Sequence, residues 1–69
     1  MFKLGDIIEY KQDPDIGLSL IEAIDKYFYT ARYITGCFDG KQRYISIGTY
    51  SAENYKKVGN IFEKGGGGQ

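Results

Sequence analysis

The chain has 69 residues, with nine basic and nine acidic side chains, no His, one Cys and one Pro. That length suits one small domain, and the residue types exclude an internal disulfide or a His-containing zinc set. No apolar run approaches the roughly 20 residues that a membrane-spanning helix needs, and zero net charge argues against a protein that works by bulk attraction to phosphate.

The kinds of apolar residue point to strands. Ile, Val and Thr number 13 and Tyr plus Phe number 11, against seven for Leu, Met and Ala together. Branched and aromatic side chains suit a pleated, half-buried surface, whereas Leu and Ala favour helices. The opening segment FKLGDIIEYK has early charges and no long apolar core, unlike a secretory leader.

In chain order, Gly5-Asp6 is a turn signal ahead of a strand over Ile7 to Lys11. Gln12 to Gly17 gathers Pro, Gly and two Asp and reads as a loop. Leu18 to Ile24 fits either a helical face or an alternating strand; the shortness of the run and its turn-rich flanks favour the strand. Tyr27 to Thr35 and Arg43 to Tyr50 are strands by composition, and Asp39-Gly40 between them is the dipeptide of a two-residue hairpin turn. Ser51 to Lys57 predicts a short helix capped by Ser51 and ended near Gly59, with Val58 to Glu63 as a last strand. A longer helix reaching Phe62 also has the right spacing, weakened by Gly59. Residues 65–69 form a Gly-rich, linker-like tail after a single domain over 1–64.

A turn at Asp39-Gly40 pairs Phe38 with Lys41 and Ile34 with Ile45, and strand alternation then sorts the side chains. Phe28, Thr30, Ile34, Ile45, Ile47 and Thr49, with Arg32 among them, form an aliphatic face expected to be the core. Tyr27, Tyr29, Tyr33, Tyr44 and Tyr50 surround Ala31, Ser46 and Gly48 on the other face. That tyrosine face is the predicted binding surface, suited to stacking bases or receiving a protein side chain. The alternative is a rim of tyrosines covering a small core with hydroxyls in water.

Catalytic patterns fail. No His supplies a base near neutral pH, the three serines lack an activating motif, and Cys37 has no basic neighbour. Asp13 to Gly17 has the flavour of a calcium loop but departs from it at Gly17 and Ile24. No enzyme activity, cofactor or metal is expected. Charge is uneven: residues 1–30 carry three basic and six acidic groups, and residues 31–69 six basic and three acidic. This reads either as chance clustering on a solvated surface or as two faces of opposite sign.

Two resemblances add to this. Phe2 to Tyr10, with its GDI opening, and Val58 to Glu63, with its GNI close, resemble the two ends of the YopX family of phage and prophage proteins. That resemblance implies a β-barrel-like fold and a mobile-element origin, with no assigned biochemical role. Asp39 to Glu53 resembles the arm-site DNA-binding domain of phage integrases, where a hairpin leads into a helix and a three-stranded sheet enters the major groove. It implies Arg32, Lys41 and Arg43 as nucleic-acid contacts.

The expected architecture is mostly β: a five-stranded SH3-like barrel or meander with one short helix. The expected function is non-enzymatic binding by a phage or mobile-element protein in the host cytoplasm, through a host protein or protein complex. DNA binding by the sheet is the alternative, and self-association through edge strands is a third reading.

Overall fold

A computed structural model describes residues 1–48 and 50–63, and of residues 50 and 51 the backbone alone. The tail at 65–69 and Thr49 lie outside the described residues. Five strands form one antiparallel sheet: β1 (Asp6–Tyr10), β2 (Leu18–Ile24), β3 (Phe28–Tyr33), β4 (Gln42–Ser46) and β5 (Tyr55–Asn60). A 3₁₀ turn (Pro14–Ile16) precedes β2, and a single helical turn, α1 (Tyr50–Glu53), precedes β5. The spatial order is β4-β3-β2-β1-β5, a meander whose last strand returns beside the first. The mostly β, five-stranded expectation holds, and Leu18–Ile24 is a strand over its whole length.

Two bulges bend the sheet. One opposes Ile7 and Ile8 to Gly59 and Lys57, leaving Val58 unpaired; the other leaves Glu22 unpaired between Ile21 and Ala23. An extra residue kinks its strand and raises local twist, so the sheet curls and α1 packs against both edge strands, β4 and β5. Ile8, Ile21, Tyr29, Ala31, Ile45 and Tyr55 fill the concave side, with Phe2, Tyr10, Ile47 and Ala52 packed against them.

The β3–β4 register corrects the sequence reading. Ile45 faces Tyr29 where the sequence reading had Ile34, an offset of five residues; Ala31 faces Arg43 and Arg32 faces Gln42. An odd offset exchanges the faces of one strand relative to the other. Asp39-Gly40 still sits at the centre of a tight turn, with Lys41 N–H donating to the Phe38 carbonyl at 3.0 Å, but it is not the whole loop that joins β3 to β4. The chain leaves β3 after Tyr33 and stays with β2, because Ile34 N–H donates to the Leu18 carbonyl at 2.9 Å and Leu18 N–H donates to Thr35 Oγ1 at 2.7 Å. Gly17 and Gly36 then meet backbone to backbone. A Cβ on Gly17 would lie 2.3 Å from the Thr35 oxygen, one on Gly36 would lie 2.2 Å from the Ile16 oxygen, and both residues have positive φ. That contact holds the loop against the 3₁₀ turn, so the reversal is spread over residues 34–41.

The helix is also shorter than expected. Ser51 sits within α1 instead of capping it, and β5 starts at Tyr55. Lys11 N–H already donates to the Asn54 carbonyl at 2.8 Å, which draws the chain onto the edge of β1. No helix among the described residues is long and apolar enough to cross a membrane.

The two ends of the domain interlock through a buried carboxylate. Asp6 is fully buried and accepts from Lys3 N–H at 2.8 Å and from Asn60 Nδ2 at 2.7 Å, with Lys57 Nζ 3.4 Å away. Ile61 N–H donates to the Gly5 carbonyl at 3.0 Å. Burial alone would push the Asp6 carboxyl up, but these donors and the ammonium outweigh it and hold its pKa below the ordinary value.

Candidate functional site

The register divides the five tyrosines of the predicted binding face. Tyr29 and Tyr33 are buried on the concave side with Ala31. The Tyr29 hydroxyl accepts from Phe2 N–H at 3.1 Å and lies 3.5 Å from Met1 Sδ, so the ring is enclosed. Tyr44 opposes Thr30 on the convex side and is 68% exposed, and Tyr27, in the turn before β3, is 67% exposed. The Tyr50 side chain lies outside the described residues. One continuous tyrosine surface therefore does not form. The expected aliphatic core is corrected with it: Ile45 is buried, whereas Phe28 is 41% and Ile34 is 36% exposed.

What forms instead is a convex face with aromatic and aliphatic ends. Pairing partners share a face, so Ile7, Leu20, Arg32 and Gln42 make one row across four strands, and Ala23, Thr30 and Tyr44 make another. Phe28 and Tyr44, diagonal neighbours, meet edge to face with centroids 6.3 Å apart. Between the ends, Arg32 Nε bonds Glu22 at 2.8 Å and Arg32 Nη1 donates to the Gly40 carbonyl at 2.8 Å, while Gln42 Nε2 reaches Glu22 at 3.3 Å. The Arg32 bond, then the Gln42 bond, hold the Glu22 carboxyl below its usual range. Glu22, two residues beyond Leu20, which pairs with Arg32, shares the convex face with it by strand alternation.

The concave side carries a second cluster that sequence reasoning missed as a unit. Arg43 lies with its guanidinium carbon 5.7 Å from the Tyr33 ring centroid and 5.3 Å from that of Tyr55, and its Nη1 donates to the Tyr33 hydroxyl. Phe38 packs on Tyr33 at 5.5 Å and Tyr10 on Tyr55 at 5.2 Å. The five side chains form a row at one end of the curled sheet. Arg43 Nε and the Tyr55 hydroxyl are buried with no hydrogen-bond partner. Burial pushes the Tyr55 phenol pKa up, and Arg43 offsets part of that. Only alternation in the correct register would have brought these residues together on paper.

A cavity of about 300 Å³ adjoins this row at Tyr55 and is lined also by Met1, Phe2, Tyr29, Ile47 and Ala52. No group of three or more His, Cys, Asp or Glu able to hold a metal occurs among the described residues.

The three basic residues named as DNA contacts do not form one surface. Arg32 lies on the convex side and is paired with Glu22, Arg43 lies on the concave side among tyrosines, and Lys41 is exposed in the connecting loop. Arg32 and Arg43 cannot enter one groove together. Comparison of the chain with protein-family models, with curated proteins and with solved structures returns no match.

Proposed function

We propose that the chain is a non-enzymatic binding module of phage or mobile-element origin that docks onto a folded host protein, and so inhibits it, through the convex face around Phe28 and Tyr44. The observation that carries this reading is the edge-to-face pair itself, two large rings left outside the core on a strand-built platform. Aromatic residues beside an arginine held in a polar network are the composition of interface centres. The absence of His from the sequence supports binding over acid–base chemistry. The GDI and GNI motifs support the mobile-element origin by resemblance, and both take part in the interlock around Asp6.

The test is photo-crosslinking in bacterial cells from a benzoylphenylalanine placed at position 44, with position 13 in the opposite loop as the control. The reading expects a discrete protein adduct from position 44 that is absent from position 13 and lost with Phe28→Ser. Equal labelling from both positions, or none from 44, overturns it.

A further inference from the structure

We propose that the row around Arg43 is a binding site for a carboxylate carried on an apolar body. It lies on the face opposite Phe28 and Tyr44 and stands independently of the docking surface proposed there.

Arginine presents five N–H donors in a fixed fork. Its Nη1 donates to the Tyr33 hydroxyl, and its Nε is buried with no partner. Nε belongs to the edge of a guanidinium that, with Nη2, grips a carboxylate through two parallel charge-assisted bonds. Arg32 shows the contrast within the same strand pair, since it has its carboxylate, Glu22, at 2.8 Å. No Asp or Glu of the described residues pairs with Arg43. The hydroxyl of Tyr55, whose ring centroid lies 5.3 Å from the guanidinium carbon, is a second buried donor without a partner, and Tyr55 is only 6% exposed. Buried donors left unmade are costly, so a ligand oxygen that satisfies both gains from each.

Charge and shape narrow the ligand. A single guanidinium matches a monoanion, and the rings stacked on it in the row are Tyr33 and Tyr55, flanked by Phe38 and Tyr10. Those walls suit the apolar body of a carboxylate such as a C-terminal aromatic residue or an aryl acid. Arg43 as a whole is half-buried but its Nε and the Tyr55 hydroxyl are shielded, so the ligand reaches them only as the flanking rings part.

The experiment titrates the intact chain with sodium benzoate, following the Arg43 Nε–H and the Tyr33 and Tyr55 ring resonances by NMR, with chloride and phosphate at matched ionic strength as controls. Saturable shifts with benzoate alone are expected. Arg43→Lys, which keeps the charge and loses the fork, is expected to weaken binding by about tenfold or more. Tyr55→Phe, which keeps the ring and loses the hydroxyl, is expected to weaken it about fivefold, the worth of one ordinary hydrogen bond. A parallel titration with acetyl-Ala-Phe, as free acid and as amide, separates the sources. Tighter binding of the free acid than of benzoate assigns the carboxylate to a polypeptide end, and the reverse assigns it to a small molecule. No saturable shift, equal shifts with chloride or phosphate, or undiminished binding by folded Arg43→Lys or by Tyr55→Phe would overturn the proposal.

Discussion

Asp6 and Asn60 stand 54 residues apart in the chain and share a 2.7 Å hydrogen bond, in which the Asn60 amide donates to the buried Asp6 carboxylate. Asn60 Nδ2 also reaches the Leu4 carbonyl at 3.1 Å, and its Oδ1 accepts from Phe62 N–H at 2.6 Å. One side chain thus ties the start of β1 to the end of β5, the pairing that makes the meander return on itself. Asp6→Ala is expected to cost about 3 kcal/mol, because it strands buried donors. Asn60→Ala should cost less. The double variant should be less destabilised than the sum, as residues sharing a bond couple. Urea denaturation of the four proteins checks this.

The same carboxylate gives stability a pH dependence with a definite sign. Its folded pKa lies below the ordinary value despite burial, so the unfolded chain takes up the proton first. The contribution is therefore complete above about pH 4, where unfolded Asp is ionised, and is lost as pH falls through the lower folded value. Glu22 and Asp25 are also held low, by Arg32 and by the Tyr27 and Phe28 N–H groups respectively, but at the surface, where solvent screens the effect. Melting temperatures measured from about pH 6 down to about pH 2 should fall for the wild type and flatten most with Asp6→Asn.

Gly17 and Gly36 define a second long-range lock, and it is intolerant of a side chain. Gly36→Ala would drive a methyl into the Ile16 carbonyl, with Gly17→Ala the mirror case against Thr35. Either is expected to destabilise by about 3 kcal/mol or more, combining positive-φ strain with a backbone clash. Gly59→Ala is the control: its nearest contact is Ile7 Cδ1 at 3.9 Å, and it should be neutral or slightly stabilising. Thermal unfolding of the three variants decides.

Two tyrosines that sequence alternation had put on one face should behave oppositely. Tyr29 is 2% exposed, and Tyr29→Ala should cost about 3–5 kcal/mol. Tyr44 is 68% exposed, and Tyr44→Ala should change stability by less than about 1 kcal/mol. Denaturant midpoints separate the two cases.

Strand existence was legible over Ile7 to Tyr10 and Phe28 to Tyr33, where composition and turn residues agree locally, and over Leu18 to Ile24 only through the shortness of the run and its turn-rich flanks. Which way each strand faces was not. Asp39-Gly40 forms the local turn it signals, but Leu18, through its carbonyl and its N–H, holds Ile34 and Thr35 beside β2, and that long-range contact keeps the strands from pairing up to the dipeptide. From there β3 exchanged its faces, taking Tyr29 and Tyr33 inward and Phe28 outward, while Tyr44 and Ile45 kept theirs, and the candidate sites changed with it. Arg43 and Tyr33 were both singled out, yet for separate roles. Their meeting depends on a diagonal between β3 and β4 that only the true register supplies. Asp6 and Asn60 were visible solely as parts of terminal motifs, since nothing local marks a carboxylate as one that will be buried and shared.

Every surface assignment depends on how β3 and β4 are aligned, and cross-strand nuclear Overhauser contacts read that directly. Contacts linking Tyr29 with Ile45 and Thr30 with Tyr44 are expected, as in the structure. Contacts linking Ile34 with Ile45 would return the tyrosines to one outward face and contradict both proposed sites.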